Sequence, residues 1–580
     1  MPMHSAGAST RFDRASFSGR EPFTCTASGS LGAKARGLAC IKEIVEKEVA
    51  PRFEPALRVE VPLTMVIGAD AFDLFVERNE LSDLARSDAA DQQIAAAFSR
   101  AVLPDSVAAD LRAFLDRVRV PLAVRSSSLL EDAVSEPFAG VYATKMVPNS
   151  RPDLETRVQQ LAAAVKQVYG SVFFRKAKDY RRASRHSDGD EKMAVMIQEV
   201  IGTRHDDRFY PHLSGVARSF NFYPIGIARP EDGIVELGLG LGRIIVNEGI
   251  GWAYSPACPQ ANPPYNAPRD LVERSQKHFW AIDLHPRDEG SDGDEVDCLR
   301  QYALADAERD GTLVFIASTY LADDDRIVMG TSRPGPRIVD FAPILRADLI
   351  PLTALLQELL KRCREALGRS VEIEFALTFS DGQPLPARFG FLQVRPMVAS
   401  YSAVEVHIDD WDAGRILAAS EHALGNGRDT SIRDAVYLKP KAFDVRQTKA
   451  IARELETIDR RLSAAGCGYV LIGFGRWGSC DASAGIPVSF GQISGARVIV
   501  ESSFPDVPFM PSQGSHFFHN ITSSRVLFFS VSHVGRHTVD WEWLDARPAT
   551  TETEFVRHVR LSSPFRVEVD GRTSHGVIVK

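Results

Sequence analysis

Val124-Arg125-Ser126-Ser127-Ser128-Leu129-Leu130-Glu131-Asp132 carries an arginine out of an apolar strand, predicted over Pro121 to Arg125, into a polar turn of three serines. A guanidinium fork beside small hydroxyl donors suits a polyphosphate. The same residues also fit an N-capped helix start with Arg125 in a structural ion pair, and this stretch alone does not separate the two readings. A second stretch bears on the choice. Glu372-Ile373-Glu374-Phe375 and Leu392-Gln393-Val394-Arg395-Pro396 belong to two predicted strands, Val371 to Phe379 and Phe389 to Val394, joined through the turn composition Ser380-Asp381-Gly382-Gln383. Period-two alternation puts Glu372 with Glu374 on one face, and Gln393 with Arg395 on one face. If the two faces coincide, two acids, an amide and an arginine converge, a set suited to Mg2+ and a γ-phosphate. An ordinary polar strand face is the plainer alternative.

Upstream, Gly32-Ala33-Lys34 sets a lysine at the mouth of an amphipathic helix expected within Gly29 to Ala50, where ammonium and helix N-terminus act on the same anion. By itself a lysine there is equally a solvated one. A strand is expected over Val59 to Ile67 and others over Ala194 to Glu199, Gly215 to Phe222 and Ile234 to Leu239, the last running into Gly238-Leu239-Gly240-Leu241-Gly242. This mixture gives the first 400 residues an α+β texture. A boundary near Tyr401 is followed by helical patterns at Asp412 to Leu424 and Thr448 to Ala465 and then by Gly- and Phe-rich strands, predicting a second, smaller α/β unit of roughly 150–180 residues.

The chain of 580 residues is long enough for several cores, and its 44% apolar and 25% charged residues are those of a globular protein without an apolar run of membrane-spanning length. A net charge of −8 and pI near 6.0 speak against a dedicated nucleic-acid binder, so any phosphate binding must be local. The 7 cysteines are scattered and form no C-x-x-C pair, which indicates neither a disulfide framework nor a zinc knuckle. Met1 to Arg20 lacks an apolar h-region, and a cytoplasmic protein is expected, with residues 1–27 as a disordered leader.

Lys34 within Gly32-Ala33-Lys34-Ala35, Arg125 within Ala123-Val124-Arg125-Ser126-Ser127, Glu131-Asp132 with Phe138-Ala139-Gly140, and Ile373-Glu374 with Leu392-Gln393-Val394-Arg395-Pro396 occur in a recognisable order. Together they resemble the N-terminal ATP-binding domain of phosphoenolpyruvate synthase and pyruvate phosphate dikinase, over about Ser28 to Val398. The resemblance implies an ATP-grasp fold over 28–400, in two lobes of about 28–210 and 211–400, with 401–580 as a C-terminal α/β domain of unassigned role. It implies ATP and Mg2+ as ligands. Lys34 and Arg125 would contact the phosphates, Glu374 and Gln393 would hold Mg2+, and Arg395 would stabilise charge on the γ-phosphate. Gln198 and Glu199, in Met196-Ile197-Gln198-Glu199-Val200, match the strand that follows the adenine, and Gly240 and Gly242 match the glycine segment near the phosphates. Where the family commonly has Gly-Leu-Gly-Glu, this chain has Gly240-Leu241-Gly242-Arg243. The family's phosphohistidine segment and its barrel find no counterpart in these residues, so the complete dikinase reaction is not expected.

Further on, Pro511-Ser512-Gln513-Gly514-Ser515-His516-Phe517-Phe518-His519-Asn520 offers His516 and His519 as phosphate acceptors or general bases, with buried, hydrogen-bonded histidines as the alternative. Gly473-Phe474-Gly475-Arg476-Trp477-Gly478 satisfies G-x-G-x-x-G, but Ser479 to Pro487 does not read as the helix a dinucleotide site needs; Arg476 and Ser479 can still meet an anion there. The expected function is an ATP- and Mg2+-dependent phosphotransferase acting on a histidine or a small-molecule acceptor, with neither nucleic acid nor membrane as partner; a homo-oligomer is left open. A carboxylate–amine ligase working through an acyl phosphate, and a catalytically silent nucleotide-binding regulator, are the alternatives.

Overall fold

The structure is a computed structural model and describes residues 10–26, 29–128, 141–183, 191–221, 229–248, 251–260, 268, 271–272, 275–285, 298–380, 383–397, 404–479, 485–503, 526–534, 536–571 and 573–580. It is a mixed α/β protein built on three large sheets.

The first sheet has six strands, in the order Thr10–Arg11, Phe23–Cys25, Thr64–Ile67, Met193–Glu199, Leu122–Ser128 and Thr144–Val147. Its central strands are apolar on both faces, and alternation divides their side chains between two cores. Met193, Val195 and Ile197 enter one core with Val124 and Tyr169, while Ala194 and Met196 enter another with Leu38, Ile373 and Phe391. Residues 10–26 correct the expectation of a disordered leader: their strands pair within this sheet, and Phe12 is buried against Phe17, which stacks on Phe114.

The second sheet also has six strands: Trp252–Tyr254, Ile234–Gly238, Leu213–Arg218, Val371–Ser380, Gln383–Pro396 and Leu57–Glu60. The Val371–Ser380 and Gln383–Pro396 strands form the expected hairpin. The single strand expected over Val59 to Ile67 is two strands in different sheets, Leu57–Glu60 beside the hairpin and Thr64–Ile67 in the first sheet. Pro62 lies between them and brings no N–H to a ladder, so the chain changes sheets there, with the Thr64 hydroxyl donating to the Pro62 carbonyl at 2.7 Å.

The helix Gly32–Ile44 buries Ala35, Leu38 and Ile41 in the second core. Its N-terminus is capped from outside: Ser127 Oγ accepts from the Ala35 N–H at 3.1 Å and donates to the Leu31 carbonyl at 2.7 Å. Ser126 to Ser128 are therefore not the expected turn. They continue the Leu122–Ser128 strand, fully buried and paired with Val195, Ala194 and Met193.

The C-terminal sheet runs Ala423–Leu424, Leu527–Val531, Ala496–Ser502, Tyr469–Phe474, Asp434–Leu438, Val556–Arg560 and Ala549–Glu552. Its four middle members from Leu527–Val531 to Asp434–Leu438 are parallel, and the helix Thr448–Ala464 makes the crossover between the last two. The helix expected over Asp412 to Leu424 is strand instead. All five residues of Ile416–Ser420 are buried, and four of them pair with Gly576 to Val579 around a register shift at Leu417, so two-sided burial overrides the helix propensity of alanine and leucine. Val436, Leu438, Leu455 and Trp477 share one core with Met65, Val124 and Tyr169 of the first sheet. Tyr180 and Phe490 rings pack at 5.7 Å across this junction, and Arg175 donates to Glu456 at 3.0 Å.

Gly32 has φ +72°, and a Cβ there would lie 1.6 Å from the Ser127 carbonyl oxygen. Left-handed strain and steric overlap add, so Gly32→Ala is expected to lower unfolding stability by about 2–5 kcal/mol in urea titration. An unchanged midpoint would mean that helix and strand separate easily.

Candidate active site

Alternation along Leu122–Ser128 turns Val124 into the first core and Arg125 towards the second sheet. Arg125 Nη2 donates to Glu374 Oε2 at 2.8 Å and to Gln393 Oε1 at 2.5 Å, and Nη1 donates to Gln198 Oε1 at 3.4 Å. One guanidinium thus joins an acceptor of its own sheet to two of the other. Glu374 and Gln393 stand directly opposite each other in the hairpin, as do Glu372 and Arg395, so the two faces inferred from the sequence do coincide. A register shift between Glu374 and Phe375 interrupts the ladder beside the carboxylate.

The row continues sideways. Arg395 pairs with Glu372, Arg218 Nε donates to Glu372 Oε2 at 2.6 Å, and Arg218 Nη1 donates to Glu236 Oε2 at 2.5 Å. Arg395, Glu372, Arg218 and Glu236 therefore alternate across four adjacent strands, and Arg125 from the first sheet meets Glu374 beside them, so that three arginines and three glutamates, largely buried, each have an opposite charge in contact. Burial alone would raise the pKa of Glu374, but Arg125 and Arg395 outweigh burial and the repulsion of Glu372, and the carboxyl is held below its ordinary value. Burial likewise disfavours the charge on Arg218, and Glu372 and Glu236 overcome it.

The other expected residues are placed as follows. Lys34, in the first turn of Gly32–Ile44, points Nζ to Ser126 Oγ at 3.4 Å, beside the Arg125 strand. Gln198 is buried and also donates to Thr64 Oγ1 at 3.3 Å. Glu199 turns the other way, into a bidentate pair with Arg388 at 2.9 Å for each oxygen, and Arg388 also donates to Glu60 at 2.6 Å. The sequence expectation joined Gln198 and Glu199; the structure separates their side chains.

Gly240 lies at the end of the same sheet face, where Ser214 Oγ donates to its carbonyl at 2.7 Å. Its φ is +81°, and a Cβ would come 2.7 Å from the Trp280 carbonyl oxygen, so glycine is required; Gly242 packs against Ser214. Arg243 stacks on the Trp280 ring, 4.3 Å from its centroid. Glu131, Asp132, Phe138 to Gly140, His516 and His519 lie outside the described residues.

Arg218 and Glu236 were missed in the sequence. Their signal was present: each is a lone charge within an otherwise apolar strand, a position that demands a partner. Among the described residues no group of three or more His, Cys, Asp or Glu could by itself cage a metal ion.

The family model for the pyruvate phosphate dikinase AMP/ATP-binding domain matches residues 28–413. The chain belongs to this family. All the contacts among Arg125, Gln198, Glu374, Gln393, Glu372, Arg395, Arg218 and Glu236 fall inside the matched range. A rifampicin phosphotransferase of Streptomyces sviceus is similar at 28% identity over 207 residues, which cover 33% of this chain and 21% of that relative. The likeness therefore spans about a fifth of the length of the relative.

Because the folded pKa of Glu374 is depressed, its contribution to stability is complete above the unfolded-state value near 4.5 and is lost as pH falls through the folded one. Glu374→Gln is expected to lose less stability than wild type between pH 5 and 3, read as urea midpoints at each pH. Parallel profiles for the two proteins would remove the ionised pair with Arg125.

Proposed function

We propose that this chain is an ATP- and Mg2+-dependent phosphotransferase of ATP-grasp architecture, with the nucleotide between lobes of about 28–210 and 211–400 and the acceptor served by 401–580. The observation that carries this reading is the meeting of Arg125, from one sheet, with Glu374 and Gln393, from the other.

Each role has a physical basis. Glu374 and Gln393 present two hard oxygen donors from opposed strand positions, and Mg2+ usually takes only one or two protein ligands with the phosphates completing its shell. When bound, Mg2+ neutralises charge developing on the transferring phosphoryl oxygens. Lys34, at the start of Gly32–Ile44, favours an anion beside Arg125. Arg395 is held by Glu372, itself braced by Arg218, so its charge is oriented before a substrate arrives, as transition-state stabilisation requires. Gly240 and Gly242 supply close-approach backbone at the end of the same face, and the strand of Gln198 and Glu199 is the proposed adenine side. His516 and His519 stay candidate acceptors or bases.

Arg125 holds the proposed metal oxygens with its own charge. Phosphates that draw the guanidinium away release both oxygens together, so nucleotide and cation bind as a coupled pair.

Two measurements test this. With Mn2+ as a spin probe, wild type is expected to bind the cation weakly until ATP is added, and Arg125→Ala to weaken ATP binding while strengthening binding of Mn2+ alone. With Mg2+ and ATP labelled at the β- or γ-phosphate, Glu374→Gln and Arg395→Ala are each expected to lower label transfer about 10²–10³-fold, with smaller effects on ATP affinity. Failure of wild type to bind ATP at millimolar concentration overturns the reading.

A further inference from the structure

The strand Ile234–Gly238 carries Glu236, the outer member of the charged row, and the chain beyond it folds back over its own sheet. Ile244 and Ile245 are buried with Val216, and Trp280 packs against that group. Val216 stands directly opposite Glu374 on one neighbouring strand and Glu236 on the other. Opposed positions in a ladder share a face, so Ile244, Ile245 and Trp280 lie on the face that carries Glu374. The same segment reaches the first sheet. The Leu241 N–H donates to the Trp280 carbonyl at 2.9 Å, and Leu241 shares a core with Ala123, two residues before Arg125.

Arg243 belongs to this segment, half-buried, with its guanidinium 4.3 Å from the Trp280 ring centroid. It differs from the other arginines of the face. Arg125, Arg218 and Arg395 each touch a carboxylate, whereas Arg243 touches none among the described residues. An aromatic face orients a cation without cancelling its charge, and stacking leaves the N–H edge of the guanidinium to another partner.

Gly242 is an independent sign of what that partner is. Gly240 is explained by its φ of +81° and the nearby Trp280 carbonyl, but Gly242 is not left-handed. A Cβ there would meet only Ser214 Cβ among the described residues, at an ordinary 3.7 Å. Packing therefore does not demand glycine at 242. Bare backbone beside an unmatched guanidinium suits a ligand that comes close to the main chain, and the charge calls for an anion. Ser214 lies diagonally across the ladder from Glu374, about 7–8 Å away, which puts Gly242 on the order of 10 Å from that carboxylate, within the reach of a triphosphate chain.

We propose that Arg243, mounted on Trp280 beside the Gly242 backbone, anchors the β- and γ-phosphates of the nucleotide, and that its charge takes the place of a second divalent cation. This rests on the phosphotransferase reading above. A guanidinium neutralises phosphate oxygens as a metal ion does and repels a metal ion placed beside it, so Glu374 and Gln393 serve a single cation.

The test titrates the full chain with ATP in the presence of Mg2+ and counts bound Mn2+ by electron spin resonance at saturating ATP. Arg243→Ala and Arg243→Gln are each expected to weaken ATP binding about tenfold, and Arg243→Lys to recover most of the loss, because charge and not packing is what the phosphates need. Wild type is expected to hold about one Mn2+ per chain and Arg243→Glu about two. Wild-type ATP affinity in Arg243→Ala, or in Arg243→Gln alone, overturns the anchor and leaves the nucleotide reading intact. An equal Mn2+ count in wild type and Arg243→Glu overturns the replacement of a cation. Absence of ATP binding by wild type overturns the nucleotide reading, and the inference with it.

Discussion

The site depends on one guanidinium shared between two sheets. Arg125 has only 13% of its side chain exposed, so its charge is largely removed from water, and Glu374, Gln393 and Gln198 replace that hydration. Breaking one partner of a buried pair leaves an uncompensated charge, at about 3–5 kcal/mol. The positions of both opposed oxygens of the hairpin are therefore tied to the first sheet, and the alternating row from Arg395 to Glu236 extends the same constraint over four strands.

Much of this was legible in the sequence, because strand alternation is a strict period. Glu372, Glu374, Gln393 and Arg395 could be sorted onto faces from spacing alone, and the register places them as that sorting implies. What failed did so where tertiary contacts override local pattern. Ser126-Ser127-Ser128 has the composition of a turn, yet its hydroxyls serve the helix of Lys34 from within a strand. Val59 to Ile67 is strand-like throughout, and only the missing N–H of Pro62 marks the change of sheet. Arg218 and Glu236 escaped because a lone charge in an apolar strand names no partner until the strands are paired.

Arg243, the departure from the family's usual acid, is accommodated by an aromatic platform: its guanidinium rests on Trp280 beside the glycine segment. Glu236, on the strand that leads into that segment, and Glu372 and Glu374, on Val371–Ser380, already place three carboxylates in the same sheet.

The family match ends at residue 413, but the apolar core does not. Leu438, Leu455 and Trp477 fill the same interior as Val124 and Tyr169, so a chain cut at the match boundary would leave the first sheet with an open greasy wall. The edge of the family likeness is thus not an edge of the packing: residues on either side of 413 close one another's interior, and separating them there would bare apolar side chains on both faces of the cut.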